Sequence, residues 1–513
     1  MENNKEIINQ IKKVSNIFQS GNFIDSISKS KKLLHKIPNN EFLLNIIGLS
    51  FLNLGKLNEA KDLYSRVIKQ NPRVTSFKNN YANVLKALDK VDEAEKILEG
   101  LIKTNPSYIN AINNLANLKK NAKNFNEAIK LFNDALEIEP KNITILYNLA
   151  LCYRSTRNFN QVLSYAKKIN EIDPNFTQAD KIISEIQDYK DENGNKHLSN
   201  MDKKLKELSL SNEQKISLHF SLGKAYEDKA EYELSFNHYV EGNKLKRATF
   251  NYNFDDEKIK FNSIKKIFKT FKNNNIKTEK DKKKFIFICG MPRSGTTLLE
   301  QIISAHSKVG SLGETEFLGK IFNKLDLKNI NLSNLTSISN KNESLIYNDY
   351  VHLTEKFNFK SHFLTDKSLL NFQLIGFIKV FFPGSKVLVL QRDFNNNFFS
   401  IFKNELLGPQ LRWTFSAKEI QEYHKLFIEY MRFWNEIFPN FLMKVDYEKL
   451  VTNPEKITKD VLNYCGLDWE DNCLNYYKKN KSSIDTASAN QANKPVYKSS
   501  LNKFEAYKKL FKF

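Results

Sequence analysis

Gly290-Met-Pro-Arg-Ser-Gly-Thr-Thr297 is the stretch of this 513-residue chain whose residue types and spacing could do chemistry. Four apolar residues before it, Phe285, Ile286, Phe287 and Ile288, predict a buried strand, and the pattern from Leu298 onward predicts a helix. A strand, a small-residue loop and a helix N-terminus direct free backbone N–H groups and the helix dipole onto one point, where an anion is stabilised. The expected ligand is a phosphate.

The spacing from Gly290 to Gly295 is that of a nucleoside-triphosphate loop, but Thr296 stands where such a loop has its phosphate-binding Lys. The basic residue is Arg293, inside the loop. Without that Lys, and with no acidic strand end placed for Mg²⁺, kinase or triphosphatase chemistry is disfavoured. A lone glycine motif is equally a turn between strand and helix. Six consecutive residues, Pro292-Arg-Ser-Gly-Thr-Thr297, go further. They resemble the loop that holds the 5′-phosphosulfate of 3′-phosphoadenosine-5′-phosphosulfate (PAPS) in sulfotransferases.

The elements that must position these residues are legible around them. Lys386-Val-Leu-Val-Leu-Gln-Arg-Asp393 predicts a buried strand entering a polar loop, and Met443-Lys-Val-Asp-Tyr447 a further strand before a helix from Pro454 to Tyr464. Strands alternating with helices imply a mainly parallel sheet covered on both faces. Ligands of such sheets lie beyond the carboxyl ends of the strands, where Arg293, Arg392 and Tyr447 would be delivered.

Upstream, Pro38, Pro72, Pro106, Pro140 and Pro174 recur every 34 residues. Gly48, Ala82, Ala116 and Ala150 keep one small site in register, and Ala60, Ala94 and Ala128 keep a second, with Val162 the departure. Tyr64 and Phe132 share an aromatic site. This pattern resembles tetratricopeptide repeats, five helical hairpins from about Ile7 to Phe176 whose concave face suits an extended partner. Asn80, Asn83, Asn113, Asn114, Asn117 and Asn148 recur on the first helices, where amides either grip a peptide backbone or simply face water. The expected organisation is a repeat array over 1–187, then 188–280, then a catalytic domain over 281–513. The middle stretch holds a linker at Asp188–Asn200, a degenerate sixth repeat at about 216–249, and a lysine-rich spacer from Phe271 to Lys284. The expected fold class is an N-terminal α-solenoid of tetratricopeptide repeats followed by an α/β, P-loop-like domain with a mainly parallel sheet.

The resemblance covers Lys284 to the C-terminus and is closest to tetratricopeptide-repeat sulfotransferases and the related tyrosylprotein sulfotransferases. It implies that Arg293, Ser294, Gly295, Thr296 and Thr297 bind the 5′-phosphosulfate. Gln391-Arg-Asp followed by Ser400 resembles the 3′-phosphate loop, which implies that role for Arg392 and Ser400. The tyrosylprotein enzymes carry a second Arg four residues later; here Asn404 stands, with Lys403 as a substitute cation. Val445-Asp-Tyr447 resembles the strand whose Tyr contacts the cofactor, although Tyr447 is equally an aromatic packed at a strand end. Ser488-Ala-Asn-Gln-Ala-Asn-Lys-Pro495 resembles the segment that puts Ser488 beside the reacting sulfuryl group and Lys503 on a phosphate.

Sulfuryl transfer is an in-line displacement that needs positive charge at the leaving oxygen and a base at the attacking one. The resemblance implies Lys367, in Thr-Asp-Lys-Ser, and Arg293 for the charge, and Ser488 for the sulfuryl oxygens. Gly313-Glu-Thr-Glu316 resembles the tyrosylprotein family's glycine–glutamate segment, nominating Glu314 as base, with Glu316 and His306 as competitors. A phenol of pKa ~10 needs such a base at neutral pH. The implied activity is a PAPS-dependent sulfotransferase without a metal. Its acceptor is a peptide or protein hydroxyl presented by the repeats, tyrosine favoured. A glycan or small-molecule acceptor is the alternative, and a non-catalytic nucleotide-binding scaffold another.

Composition bounds the rest. The net charge of +21 comes mostly from scattered lysines, which reads as a solvated surface rather than a nucleic-acid interface. Cys152, Cys289, Cys465 and Cys473 form no Cys-x-x-Cys pair and are expected to be reduced and structural. No signal peptide or ~20-residue apolar run is seen, so a cytoplasmic protein without a membrane partner is the expectation, and a homodimer is a candidate assembly.

Overall fold

The computed structural model describes residues 2–269, 284–323, 346–355, 357, 359, 361–479, 495–496 and 501–511. They form two compact units, Met1–Ile183 and Ser184–Phe513. Among the described residues no helix is long and apolar enough to cross a membrane.

The first unit is a run of antiparallel helix pairs: α1 (Glu2–Gln19), α2 (Phe23–Leu34), α3 (Glu41–Asn53), α4 (Leu57–Gln70), α5 (Thr75–Ala87), α6 (Val91–Thr104), α7 (Ile109–Asn121), α8 (Phe125–Ile138), α9 (Ile143–Ser155) and α10 (Phe159–Ile172), then α11 (Gln178–Ile186). Each of the five spaced prolines lies just beyond a second helix, where it cannot continue it. Ala60, Ala82, Ala94, Ala116, Ala128 and Ala150 are buried where paired helices touch. Gly48 shows why the size matters: a Cβ there would lie 2.4 Å from the ring of Tyr64. The turn inside each pair bends through one left-handed residue, Gly21, Gly55, Asp89, Lys123 or Arg157, again spaced by 34. The recurrent asparagines have structural work. Asn22, Asn40, Asn124, Asn142 and Asn158 cap helices. Asn80 donates to Asn45 at 2.8 Å, Asn114 to Asn79 at 2.9 Å and Asn148 to Asn113 at 3.3 Å, so these amides bridge successive repeats.

The second unit opens with α12 (Glu192–Glu207), α13 (Asn212–Asp228), α14 (Tyr232–Ala248) and α15 (Asp255–Phe268). The expectation of a linker at Asp188–Asn200 is corrected here. Asp191 caps α12 through Gly194 N, and Gly194 has no room for a Cβ, which would lie 2.2 Å from Asp188 O. The glycine and the polar run that look like a break are the tight start of a helix. The α13–α14 pair repeats the upstream signature: Gly223, Ser235 and Tyr239 have the spacing of Gly48, Ala60 and Tyr64, a Cβ on Gly223 would lie 2.5 Å from Tyr239, and Ala230 takes the left-handed turn position. It nevertheless belongs to the second unit.

Among the described residues five parallel strands follow: β1 (Lys284–Gly290), β2 (Val309–Ser311), β3 (Phe363–Asp366), β4 (Lys386–Gln391) and β5 (Leu442–Asp446), ordered β2-β3-β1-β4-β5. Between and after them run α16 (Thr296–Ser304), α17 (Phe317–Asn323), α18 (Ile375–Phe381), α19 (Phe394–Phe402), α20 (Ala417–Ile437), α21 (Tyr447–Thr452) and α22 (Pro454–Cys465). The predicted third strand stops at Asp446, whose side chain caps α21, so Tyr447 opens a helix rather than ending a strand. Alternation along β1 divides the core. Phe285, Phe287 and Cys289 face an aromatic layer that includes Phe261 and Phe268 of α15 and Tyr423, Tyr430 and Trp434 of α20, while Ile286 and Ile288 face Leu299, Ile302 and Val461. The chain is thus a helical repeat array followed by an α/β domain. All four cysteines are buried thiols outside any disulfide.

Candidate functional site

β1 ends in a loop that is tight by construction. Arg293 sits in the left-handed region at φ 64° and Gly295, which precedes α16, at φ 104°. A Cβ on Gly290 would lie 2.6 Å from Leu390 O and one on Gly295 2.4 Å from the Tyr447 ring, so both positions require glycine. A left-handed arginine costs ~1–2 kcal/mol, which neighbouring elements offset. Asn397 Nδ2 donates to Pro292 O at 2.9 Å, Arg392 Nη1 donates to Arg293 O at 3.1 Å, and Ser294 N donates to Met291 O at 3.2 Å. The Arg293 side chain itself donates from Nε to Ser400 Oγ at 3.4 Å.

Ser294 is buried and its Oγ has no hydrogen-bond partner among the described residues. A hydroxyl left so costs ~1–3 kcal/mol. An anion oxygen in the loop would satisfy it. That orphaned donor, the buried Thr296 and Thr297 and the two glycines with no space for a side chain fit a phosphosulfate group.

β2 and β3 deliver the next two groups. Lys367, just past β3, is fully buried and its Nζ hydrogen-bonds Glu314 Oε1, on the loop after β2; the Glu314 side chain is 42% exposed. Lys367 N also donates to Gly313 O at 3.0 Å, tying the loops together. A buried ammonium therefore faces a carboxylate that a solvent-borne hydroxyl can reach. His306, another candidate base, is engaged by contacts of its own. It is buried, its Nδ1 takes Lys308 N at 3.1 Å and its Nε2 lies 3.1 Å from Asp468 O. Glu316 is exposed, and its carbonyl receives Lys320 N at 2.8 Å as α17 begins.

Two buried carboxylates that the sequence reading missed hold this pair. Glu300 Oε1, on α16, accepts from Ser311 Oγ at 2.9 Å, Gly313 N at 3.1 Å and Thr365 Oγ1 at 3.2 Å. Asp366, beside Lys367, accepts from Tyr350 at 2.6 Å, Thr315 at 2.8 Å, Ser368 at 2.8 Å and Asn371 at 3.0 Å. Burial pushes the Asp366 carboxyl above its usual range against the pull of these donors. The available signal was an acid on an apolar helix face, Leu298-Leu-Glu300-Gln-Ile-Ile, and an acid ending an apolar strand.

At the other end, the Arg392 guanidinium lies over the Tyr447 ring, 4.6 Å from its centroid, and that ring backs Gly295. Asn404 Nδ2 turns back to Ser400 O at 2.8 Å. Lys403 and Lys503 both reach Glu227 of α13. Ser488 lies outside the described residues. Taken in sheet order, the strand ends offer Glu314, Lys367, the Arg293 loop, Arg392 and Tyr447, one position each. At ~4.8 Å between strands this row is ~19 Å long. Among the described residues no group of three or more His, Cys, Asp or Glu is placed to hold a metal ion.

Comparison with known proteins gives a consistent assignment. Residues 286–471 match the model of the sulfotransferase family, and residues 51–118 and 121–186 match a tetratricopeptide-repeat model. An uncharacterized protein of Aquifex aeolicus is 28% identical over 345 residues, covering 63% of this chain and 44% of that protein. A protein-tyrosine sulfotransferase of Drosophila melanogaster is 24% identical over 208 residues, 37% of this chain and 40% of the relative. Protein-tyrosine sulfotransferase 1 of Danio rerio is 22% identical over 203 residues, 37% of this chain and 55% of the relative. The chain thus spans about half the length of these curated relatives. Among solved structures, a thermophilic tetratricopeptide-repeat protein of Thermus thermophilus aligns at 17% identity and TM-score 0.32, over 34% of this chain and 94% of that one.

Proposed function

We propose that this protein is a PAPS-dependent sulfotransferase that moves a sulfuryl group to a hydroxyl of a peptide or protein, tyrosine favoured, a reading supported by the match of residues 286–471 to the sulfotransferase family and of the preceding residues to tetratricopeptide repeats. The observation that carries the reading is the row of strand-end groups, with an anion cradle at its centre and the Glu314–Lys367 pair to one side. The tyrosine preference is supported by the relatives described as protein-tyrosine sulfotransferases, and the protein acceptor by the repeats.

Bound PAPS would supply a sulfuryl group on a phosphate oxygen that is ready to leave. The loop N–H groups, Arg293 and the hydroxyls of Ser294, Thr296 and Thr297 hold the anionic end, and Arg392 and Ser400 the second phosphate. Glu314 takes the proton from the attacking hydroxyl, which must come within hydrogen-bond reach of its carboxylate. Lys367 holds that carboxylate in place through its hydrogen bond and adds fixed positive charge where negative charge develops. Ser488 and Lys503 complete the set by family resemblance.

Titration calorimetry of the full chain tests the donor class. We expect metal-free binding of 3′-phosphoadenosine-5′-phosphate that is at least ~10-fold tighter than binding of ATP, a difference of ~1.4 kcal/mol or more. Magnesium-dependent binding of ATP in preference would sink the proposal. Transfer of labelled sulfate to tyrosine-containing peptides, compared with glycans and small phenols, tests the acceptor.

A further inference from the structure

Lys403 and Lys503 are held by one carboxylate from outside the sheet. Glu227, near the C-terminal end of α13, accepts at Oε1 from Lys403 Nζ at 2.7 Å and Lys503 Nζ at 3.3 Å. Its Oε2 accepts from Lys403 at 2.9 Å and from the Tyr239 hydroxyl at 3.1 Å. The Glu227 and Lys403 side chains are 11% and 16% exposed, whereas Lys503 is 50% exposed. Burial pushes the Glu227 carboxyl up, but the two lysines more than reverse this and hold it below the usual carboxylate range. Burial pulls Lys403 below its usual value, and Glu227 opposes that pull. A buried lysine deprived of its carboxylate tends to shed its proton or turn away.

The frame around this cluster is rigid. α19 carries Ser400 and is capped by Lys403; the C-terminal segment 501–511 carries Lys503; the α13–α14 pair carries Glu227. Asn243 of α14 donates to Phe402 O at 2.7 Å, Ser235 Oγ lies 2.8 Å from the Tyr507 hydroxyl, and the rings of Phe399 and Tyr507 are 4.1 Å apart. Arg293, on the loop beside Ser400, is close enough that its charge further depresses Lys403. Lys403, Lys503 and Arg293 outnumber Glu227 and Asp228, which lines the same cavity as Lys503, and the remaining positive charge attracts a multiply charged anion.

We propose that Glu227 is a positioning residue that aims Lys403 and Lys503 at the 3′-phosphate of the donor nucleotide, so that the α13–α14 pair sets the selectivity for a 3′-phosphorylated donor. The inference rests on the donor class given under Proposed function. Glu227 acts through the lysines and touches no substrate. The change Glu227→Gln keeps its volume and one acceptor for Lys403 while removing its charge.

Calorimetry with 3′-phosphoadenosine-5′-phosphate and adenosine-5′-phosphate, which lacks the 3′-phosphate, separates this role from a structural one. We expect Glu227→Gln to weaken the first by ~10-fold or more and the second by less than ~2-fold, as loss of charge-assisted contacts predicts. Lys503→Gln, on a half-exposed side chain whose loss leaves no buried charge, should give the same selective loss in smaller measure. Equal losses for both nucleotides in Glu227→Gln, or tighter binding of the 3′-phosphorylated one, would overturn the inference while leaving the donor class intact. If Glu227→Gln does not fold, unchanged selectivity in Lys503→Gln overturns it. A wild-type protein that does not distinguish the two nucleotides overturns both.

Discussion

Glu314 and Lys367 are 53 residues apart and meet because β2 and β3 lie side by side. The pairing changes how the base should be tested. Glu314→Ala would strand a fully buried ammonium and lose stability together with chemistry. Glu314→Gln keeps an acceptor for Lys367, and should lower turnover by ~100-fold or more, the usual worth of a general base. Single-turnover kinetics alongside nucleotide calorimetry check this; an equal fall in nucleotide affinity would remove the base assignment. The residues of the loop were legible because backbone geometry dictates them locally, with glycine where no Cβ fits and hydroxyls at the start of a helix. Glu300 and Asp366 were not, because a buried acid is recognisable only when its donors are known, and these come from as far as 65 residues away. Nor was the fate of Lys403: its charge reads as a phosphate contact in sequence, but in the fold its first partner is Glu227, 176 residues away.

At the scale of elements, the repeat period was the plainest feature of the chain, because each helix pair meets the same steric demand. Gly48 and Tyr64 are one solution to that demand, and Ala82 with Leu98 another at the same two positions. The change Gly48→Ala forces a methyl into the Tyr64 ring and should cost ~1–3 kcal/mol. Adding Tyr64→Leu, which reproduces the neighbouring repeat's combination, should recover most of that loss. Urea unfolding of the wild type and the two variants, followed by circular dichroism, decides; an undiminished Gly48→Ala would mean the helix contact is looser than its geometry. The same signature, Gly223 with Tyr239, recurs in α13–α14, yet this pair packs its other surfaces against α19 and the C-terminal segment. Local sequence specified a hairpin of repeat type. The aromatic surfaces of the second unit specified where it docks.

For the molecule as a whole, two units with separate cores should unfold separately, and a ligand should stabilise only the unit that binds it. Scanning calorimetry of the full chain is expected to show two transitions. 3′-Phosphoadenosine-5′-phosphate at ~100 times its Kd should add ~2.7 kcal/mol to one of them alone. A single transition shifted as a block would mean the units are energetically one body. By itself the sequence determined the 34-residue period, the strand–loop–helix at Phe285 to Ile303 and the αβ alternation after it, since these follow from helix and strand periodicity and from glycine sterics over short spans. Tertiary structure decided the order β2-β3-β1-β4-β5, which lines up one candidate residue at the end of each strand. It also decided that a repeat-like hairpin belongs to the second unit and meets the C-terminal segment across Glu227 and Lys503. Those outcomes depend on which apolar faces and which charges find one another across hundreds of residues, and no local pattern encodes that choice.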